Sequence, residues 1–399
     1  MMTPKTLFLL PLIGITLSST AQNTDPRPQV PIMGWSSWNH FHIDIDEKMV
    51  QGQADAMVSS GMKDAGYSYI NIDDGYFGGR DTSGNLLSHP EKFPSGMKNL
   101  ADYIHSKGLK AGTYSDAGNN TCASISQHDK FGKGVGLIGH DEQDLKLMLI
   151  DWGYDFIKID WCGGRGMNLS DQERYTELGK LIRSIRPDVV YNICRWKFPG
   201  EWAMDVADSW RISGDIRATF SSVMRILDLN TELWKYSSAG SFNDMDMLQV
   251  GRGMSYDEDK THFTMWCMLN SPLLAGNDLR EMSQQTIDIL TNKEVIALNQ
   301  DPLAYQAHKL KDNGKTEVWA KPLGSLDGGT VAVVLLNRSG NSKTMELDLA
   351  AIGIDPNSSF TLRDLWKKET VTTDNLTFEI PKHGVVALKI EGKSIGKIY

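Results

Sequence analysis

Short apolar runs alternate with amphipathic stretches over the first three quarters of the chain. Eight runs have the length and composition of buried strands: Met33–Trp38, Tyr69–Asp74, Lys110–Ser115, Phe156–Trp161, Val189–Cys194, Trp210–Gly214, Phe242–Leu248 and Leu273–Asn277. The stretches between them place apolar residues at helical spacing and stop at glycine or proline, as Leu100, Tyr103 and Ile104 do before Gly108. Eight strand-then-helix units predict an α/β fold, a (β/α)8 TIM barrel. A doubly wound sheet is the alternative, but no glycine-rich phosphate-binding fingerprint follows the first strand.

The pattern changes near Gln300. From there the chain shows short strand-like runs separated by Gly, Asn and Asp turns: Thr316–Ala320, Thr330–Leu336, Thr344–Leu349, Phe360–Trp366, Leu376–Ile380 and Val385–Ile390. This pattern predicts a C-terminal antiparallel β-sandwich. We therefore expect a barrel domain over residues 22–303 and a sandwich domain over residues 304–399.

The first 21 residues form a separate segment. Lys5 precedes an apolar run from Leu7 to Leu17, and Ser19-Thr20-Ala21 follows it. This pattern predicts a secretory signal peptide, residues 1–21, and hence a periplasmic or secreted protein. No later segment is apolar enough to predict a membrane span.

Composition narrows the possible partners. The 399 residues carry a formal net charge of -9, which argues against nucleic acid as a partner. The four cysteines include no CxxC pair, so no zinc site of the usual spacing is predicted, and export makes a disulfide possible. The oligomeric state is not predicted by any feature of the sequence.

The strand-like run FIKIDWCGG carries charge where a core face should be apolar. Because strand side chains alternate, Lys158, Asp160 and Cys162 share one face and Ile157 and Ile159 share the other. A buried Lys/Asp pair is costly unless it is paired or used. One interpretation is an ion pair that holds the barrel together; the other is a functional site.

Polar residues recur at the ends of the predicted strands. They are Trp38, Asp73, Asp74, Tyr114, Asp116, Lys158, Asp160, Cys194, Arg195, Trp196, Arg211, Asp215, Asp244 and Asp246. In a barrel of this type the strand ends meet at one rim, where active sites lie. Clustered carboxylates with Lys, Arg and Trp suit a sugar, because carboxylates accept hydroxyl hydrogen bonds and Trp covers an apolar ring face.

Seven motifs within residues 31 to 303 resemble, in order, those of glycoside hydrolase family 27, the α-galactosidases and α-N-acetylgalactosaminidases. They are MGWSSWNHF, INIDDGYF, GTYSDAGNNTC, FIKIDWCGG, WRISGDI, FNDMDML and NSPLLAGNDLR with VIALNQDPL. The resemblance implies a retaining exo-acting α-galactosidase that needs no cofactor or metal. Its substrates would be oligosaccharides or polysaccharides with terminal α-galactose.

The same resemblance implies individual roles. Asp160 stands at the nucleophile position and Asp215 at the acid/base position. Positions that match sugar-contacting residues are Trp38, Asp73, Asp74, Tyr114, Lys158, Arg211 and Asp246. Cys122 and Cys162 match a disulfide beside the nucleophile.

Other interpretations of these residues stay open. Asp160 as a mere ion-pair partner of Lys158 is one, and Asp215 as a helix N-cap in SGDIR is another. Asp244 is expected only to tie its loop down, outside the site. Cys194 and Cys267 are expected to be buried apolar fillers.

The chain departs from the family pattern in the loop that reads the sugar's 2-position, where it has Cys194-Arg195-Trp196-Lys197. Arg195 can donate to a hydroxyl but is too bulky for an obvious acetamido pocket, so it is a candidate substrate-binding residue for galactose. A β-L-arabinopyranosidase is the nearest alternative enzyme, since that sugar is galactose without its hydroxymethyl arm. A carbohydrate-binding protein without catalysis is the alternative from another class.

The mechanism sets electrostatic expectations. A retaining glycosidase needs one ionised carboxylate and one that carries a proton near neutral pH. The charge of Lys158 should keep Asp160 ionised. Asp215 should lie in a desolvated or weakly charged setting. We therefore expect Arg211, on the same strand face, to point at substrate or at another carboxylate.

Overall fold

A barrel of eight parallel strands forms the first part of the computed structural model, which describes residues 25–371 and 375–397. The barrel strands are β1 (Met33–Ser36), β2 (Tyr69–Asn71), β5 (Lys110–Asp116), β6 (Phe156–Asp160), β7 (Val190–Ile193), β8 (Ser209–Arg211), β9 (Phe242–Asp244) and β10 (Leu273–Ala275). A small hairpin, β3 (Phe77–Arg80) and β4 (Leu86–Ser88), follows β2. The signal-peptide prediction for residues 1–21 lies outside the described residues.

The strands pair in the order β10-β1-β2-β5-β6-β7-β8-β9, and every pairing is parallel. The ring closes beyond the end of β9, where Leu248 bridges Ala275. The Leu248 N–H donates to the Leu274 carbonyl at 2.8 Å, and the Gly276 N–H donates to the Leu248 carbonyl at 3.0 Å. The predicted TIM barrel is confirmed.

Helices cover the outside of the barrel. They are α1 (Trp38–Phe41), α2 (Glu47–Ser59), α3 (Gly96–Ser106), α4 (Cys122–Ser126), α5 (Asp141–Lys146), α6 (Asp171–Ile185), α7 (Phe220–Asn230), α8 (Tyr256–Met268), α9 (Gln284–Leu290) and α10 (Lys293–Asn299). Short 3-10 turns occur at Lys63–Ala65, Lys130–Gly132, Glu201–Asp205, Trp234–Tyr236, Leu279–Glu281 and Ala350–Ile352, and a π turn, Leu147–Asp151, extends α5. None of the helices in the described ranges is long and apolar enough to cross a bilayer.

Helix α2 shows how the sequence pattern produces this layer. The Asp46 side chain caps its first turn by accepting from the Met49 N–H. Val50, Ala54 and Met57 are buried against the barrel. Val58 is 40% exposed, because it lies about 80° around the helix from Val50, at the edge of the apolar face.

The C-terminal part is antiparallel, as predicted. Its strands are β11 (His308–Asp312), β12 (Thr316–Pro322), β13 (Thr330–Asn337), β14 (Lys343–Glu346), β15 (Phe360–Asp364), β16 (Glu369–Val371), β17 (Thr377–Ile380) and β18 (Val385–Gly392). Six form one sheet in the order β11-β12-β13-β18-β15-β16, and β14 pairs with β17. Strands β11 and β16 were not predicted, because their mostly charged or exposed residues give no alternating pattern.

A buried lysine joins the two parts of the chain. Lys321 of β12 is fully enclosed and donates from Nζ to the Asn270 Oδ1 at 2.5 Å and to the Leu298 carbonyl at 2.6 Å. Nζ also donates to the Cys267 carbonyl at 3.4 Å, and the Cys267 and Leu298 carbonyls belong to the last turns of α8 and α10, where carbonyls lack partners within the helix. The sheet therefore caps the helices that follow the last barrel strands.

Candidate active site

A cavity of about 380 Å³ opens at the carboxyl ends of the barrel strands. It is lined by Trp38, Asn39, Asp73, Asp74, Cys122, Ser126, Lys158, Asp160, Cys162, Arg165, Trp196, Arg211, Gly214, Asp215 and Met247. Strand β6 points Lys158 and Asp160 into it, while Ile157 and Ile159 on the opposite face are buried in the hydrophobic core. The charged face of FIKIDWCGG is therefore part of a cavity wall.

Seven of the ten predicted site residues line this cavity, and three do not. Asp246 is buried behind the cavity and pairs with Arg211. Tyr114 is fully buried below the floor, where its hydroxyl accepts from the Cys122 N–H at 3.3 Å. Arg195 turns away and binds Asp171 Oδ2 through Nε at 2.9 Å. The structure thus does not place Arg195 among the sugar-facing residues.

Lys158 connects the carboxylates at the base of the cavity. Its Nζ donates to Asp73 Oδ2 at 2.9 Å and lies 3.9 Å from Asp160 Oδ2. The main partner of Lys158 is thus Asp73 rather than Asp160. Burial lowers the pKa of Lys158, but the charges of Asp160 and Asp73 outweigh it, and the net pKa stays well above the usual range. Lys158 is a fixed positive charge.

Asp160 is enclosed. Burial raises the pKa of its carboxyl, and the nearby charge of Lys158 opposes that rise, but the net pKa lies above its usual range. The expected effect of Lys158 is present, although it does not outweigh burial. Asp160 Oδ1 is buried and accepts no hydrogen bond from any described residue.

Asp74 is a second buried carboxyl of the wall. Its Oδ2 accepts from the Ala123 N–H at 2.7 Å and its Oδ1 from the Gly75 N–H at 2.8 Å. Burial raises the pKa of Asp74 to about 7, a rise to which the charges of Asp73 and Asp160 add. Asp74 also orders the chain at the start of α4.

Arg211 holds two carboxylates at once. Its Nη2 lies 2.7 Å from Asp246 Oδ2 and 3.0 Å from Asp215 Oδ1. The expectation that Arg211 points at another carboxylate is met by Asp246, but Arg211 also binds Asp215. Burial raises the pKa of Asp215, yet the charges of Arg211 and Lys158 outweigh it and the net pKa is lowered. The expected weakly charged setting of Asp215 was therefore wrong.

Burial also acts on Asp246, whose pKa is raised to about 6 although the charge of Arg211 opposes the rise. Its Oδ2 accepts from the Ile216 N–H at 2.8 Å, which ties the loop that carries Asp215 to the barrel. Helix α7 is capped by Thr219 rather than by Asp215, so the N-cap interpretation of Asp215 is wrong. The Asp215 side chain is 57% exposed at the cavity mouth.

A disulfide fixes the rim beside Asp160. Cys122 and Cys162 are bonded, as the family resemblance implied, and Cys122 Sγ lies 3.2 Å from Asp160 Oδ2. Behind it, Asp116 Oδ1 accepts from the N–H groups of Gly118 at 2.7 Å and Gly163 at 3.0 Å. Burial raises the pKa of Asp116 to about 7, with a further contribution from the charge of Asp160.

Two cysteines are free. Cys267 is a buried filler in the hydrophobic core, as expected. Cys194 is buried too, but it is not a purely apolar filler, because its Sγ lies 3.7 Å from Arg211 Nη1. Asp244 accepts from the Asn192 amide at 2.9 Å and from the Asp246 N–H at 2.8 Å, which is the loop-tying contact predicted for it.

Trp196 and Arg165 line the cavity, although neither was predicted as a substrate-binding residue. Trp196 lines the cavity from a backbone with φ of 57°, and the Arg165 guanidinium lies 4.4 Å from its ring centroid. The left-handed backbone turns Trp196 inward and separates it from Arg195. Tryptophan after a predicted strand end was a signal for a sugar-facing residue, but alternation alone could not assign its direction.

Comparison with known proteins agrees with this geometry. A family model described as alpha galactosidase A matches residues 30–301, and one described as alpha galactosidase C-terminal beta sandwich domain matches residues 313–390. The chain belongs to the α-galactosidase family of glycoside hydrolases. Alpha-galactosidase A of Cellvibrio japonicus is 42% identical over 96% of this chain and 97% of that protein. Alpha-galactosidase 2 of Arabidopsis thaliana is 43% identical over 91% of each.

Solved structures show the same family fold. Alpha-galactosidase I from Mortierella vinacea superposes with a TM-score of 0.86 at 32% identity, over 94% of this chain and 100% of that one. The Saccharomyces cerevisiae α-galactosidase with raffinose gives a TM-score of 0.81 at 25% identity, over 92% and 98%. A β-L-arabinopyranosidase from Geobacillus stearothermophilus, 24% identical over 92% and 98%, has a TM-score of 0.79 and shares the fold. The α-galactosidase relatives are thus the more similar ones.

Proposed function

We propose that this enzyme releases terminal α-D-galactosyl residues by double displacement, with Asp160 as nucleophile and Asp215 as acid/base. The observation that carries the proposal is that both carboxyls face one cavity from different strand ends, beside Lys and Arg. Retaining glycosidases use such a pair across the scissile bond. The enclosed Asp160 suits attack at carbon, and the exposed Asp215 suits exchange of a proton with a leaving group and then with water.

In the first step Asp160 bonds to the anomeric carbon while the glycosidic C–O bond breaks and Asp215 gives its proton to the leaving oxygen. In the second step Asp215 takes a proton from water, the water oxygen bonds to the same carbon, and Asp160 is released. Asp160 Oδ1 accepts no hydrogen bond from described residues, so that oxygen is not tied elsewhere.

Asp215 must carry a proton when substrate is bound, although the charge of Arg211 outweighs burial and lowers its pKa. A bound galactoside covers the exposed carboxyl and removes it from water, and desolvation raises a carboxyl pKa. Attack by Asp160 then removes a neighbouring negative charge, which lowers the pKa of Asp215 again and suits its role as base in the second step. The acid form of Asp215 is therefore a property of the enzyme–substrate complex.

The remaining wall residues bind galactose in this proposal. Asp73 and Asp74 accept hydroxyl hydrogen bonds, Lys158 and Arg211 donate them, and Trp38 covers an apolar face of the ring. Tyr114 and Asp246 support the wall from behind. Tyr114 holds Cys122 at the start of α4, and Asp246 holds Arg211.

The domain limits and the location belong to the same proposal. Residues 22–303 form the catalytic barrel and residues 304–399 a supporting sandwich, and residues 1–21 direct export to the periplasm or the medium. The pattern Lys5, apolar run, Ala21 supports export. Oligosaccharides with terminal α-galactose are the proposed substrates, in line with the raffinose in the yeast relative's structure.

The test compares wild type, Asp160→Asn and Asp215→Asn on 4-nitrophenyl α-D-galactopyranoside. Both changes should lower kcat by at least about a thousandfold, since each removes a group that acts in the reaction. Proton NMR of the first-formed galactose should show retained α configuration. Asp151→Asn, an exposed carboxylate that does not line the cavity, is the matched control and should keep wild-type activity.

A β-L-arabinopyranoside of the same phenol is measured alongside. A large preference for the pentose would replace the substrate and leave the mechanism in place. Turnover of neither substrate, combined with calorimetric binding of galactose, would support a carbohydrate-binding protein instead. An active, folded Asp160→Asn variant would refute the assignment of the nucleophile.

A further inference from the structure

Arg165 stands at the cavity mouth without an ionic partner. It is exposed, lies on the loop after β6, and covers the Trp196 ring at 4.4 Å. Within residues 25–371 and 375–397 its guanidinium makes no salt bridge and no side-chain hydrogen bond. A stacked guanidinium keeps its N–H donors pointing outward in one plane, ready for acceptor oxygens.

The neighbouring Arg195 shows the contrast. Its guanidinium is bound to Asp171 and lies 5.4 Å from the Trp161 ring, and it does not line the cavity. Two arginines thus lie near the same loop with different surroundings. The charge of Arg195 is compensated by Asp171, and the charge of Arg165 is left for whatever enters the cavity mouth.

The position of Arg165 relative to Asp215 decides which part of a substrate it meets. Both residues line the cavity, and the charge of Arg165 contributes to the lowered pKa of Asp215. Asp160 and Lys158 lie on β6 at the enclosed end, whereas Asp215 and Arg165 are exposed. The group that Asp215 protonates leaves from the exposed side, so Arg165 and Trp196 border the leaving group rather than the galactose.

We propose that Arg165, stacked on Trp196, forms a leaving-group subsite and makes the enzyme selective for galactosides whose leaving group is itself a sugar. The proposal rests on the proposed galactosidase function and adds to it the residues that recognise the leaving group. The half-buried Trp196 side chain lines the cavity beside the leaving group, and the free N–H groups of Arg165 donate to the hydroxyl oxygens of a sugar at that place. An alkyl leaving group offers neither contact.

The experiment measures kcat/KM on melibiose, in which the leaving group is glucose, and on methyl α-D-galactopyranoside. Arg165→Met should lower kcat/KM on melibiose about tenfold, the loss expected for one charge-assisted hydrogen bond at an exposed site, and change the methyl galactoside less than twofold. Inhibition by free galactose should be unchanged. Arg165→Lys keeps the charge but not the planar fork and should lose about as much on melibiose.

Arg195→Met is the matched control and should change both substrates by less than twofold, because its partner is Asp171. Equal losses on both substrates in Arg165→Met would refute the subsite, since Arg165 would then act through Asp215 or the fold. No loss on either would refute it as well. A wild-type enzyme inactive on both galactosides would refute the proposed function, an outcome separate from the effect of Arg165.

Discussion

Replacing Arg211 by methionine tests the buried charge pair that underlies the site. The Arg211 and Asp246 side chains are only 4% and 3% exposed, and their closest N···O distance is 2.7 Å. Methionine retains an apolar stem in place of the guanidinium but leaves the Asp246 carboxylate enclosed without its cation. Removing one partner of a buried pair in this way costs about 3–5 kcal/mol of unfolding free energy.

The cost should depend on pH in a known direction. The pKa of Asp246 is already raised to about 6 with Arg211 present, and it rises further when that charge is lost. At pH values between the pKa of Asp246 in the unfolded chain and its pKa in the folded variant, the folded protein binds one proton more than the unfolded chain. The unfolding free energy of the variant therefore falls, relative to wild type, as pH rises from 5 to 8. Protonation at pH 5 neutralises the unpaired carboxyl and reduces the loss.

The assay is equilibrium urea denaturation of wild type, Arg211→Met and Arg211→Met/Asp246→Asn at pH 5 and pH 8. The double variant should recover much of the loss at pH 8, because an amide carbonyl still accepts from the Ile216 N–H. Arg225→Met, an exposed arginine whose side-chain contacts are two backbone carbonyls, is the control. A loss below about 1 kcal/mol at pH 8, or an equal loss at both pH values, would refute the reasoning.

Three other changes follow from contacts described above. Cys122→Ser/Cys162→Ser opens a loop with a sequence separation of 40, so denaturation should show a loss of about 4 kcal/mol. Lys321→Met leaves the acceptors on Asn270 and Leu298 buried and unpaired. The unfolding free energy should therefore fall by about 1–3 kcal/mol for each unpaired acceptor. Asp116→Asn keeps its backbone hydrogen bonds but cannot titrate. The wild-type carboxyl, with a pKa of about 7, makes the unfolding free energy fall as pH rises from 4 to 7. In the variant this fall should be smaller by up to about 1.4 kcal/mol per pH unit.

Each of these has a contrary outcome. Unchanged stability of the serine variant under oxidising conditions would mean that the cross-link does not constrain the unfolded chain. A Lys321→Met protein as stable as wild type would show that water replaces the ammonium group. A pH dependence of Asp116→Asn identical to wild type would assign the slope to other carboxyls, of which Asp74 is the nearest candidate by its pKa.

The barrel was predictable because its strands are buried on both faces and separated by helical patterns. Each of the eight predicted runs overlaps a strand of the barrel, but several predicted ends are too late. The run Phe242–Leu248 is one example, since β9 ends at Asp244. Beyond it Asp246 has a φ of 77°, and a left-handed backbone at a non-glycine residue leaves no mark in a pattern of apolar residues.

The site was predictable as a set of residues but not as a set of contacts. Family motifs located Asp160, Asp215 and their neighbours. Lys158 binds Asp73 at 2.9 Å rather than Asp160 at 3.9 Å, and Arg211 holds two carboxylates at 2.7 and 3.0 Å; such side-chain distances leave no mark in the sequence pattern. Arg195 was predicted to contact the substrate, but Trp196 is the residue that lines the cavity. This difference depends on one backbone dihedral, the φ of Trp196.

The seam where Leu248 meets Ala275 has a consequence for motion. Between β9 and β10 the ring is held by the bridge at one residue rather than by a ladder of strand pairs, so the two backbone hydrogen bonds of Leu248 close this edge. The segment between the end of β9 and Leu248 also carries Asp246, which binds Arg211 of the cavity wall. Breaking the Leu248 bridge should therefore loosen the cavity wall at the same time. Amide exchange at Leu248 and Gly276 should then report on the opening of the cavity wall, and a bound sugar should slow it.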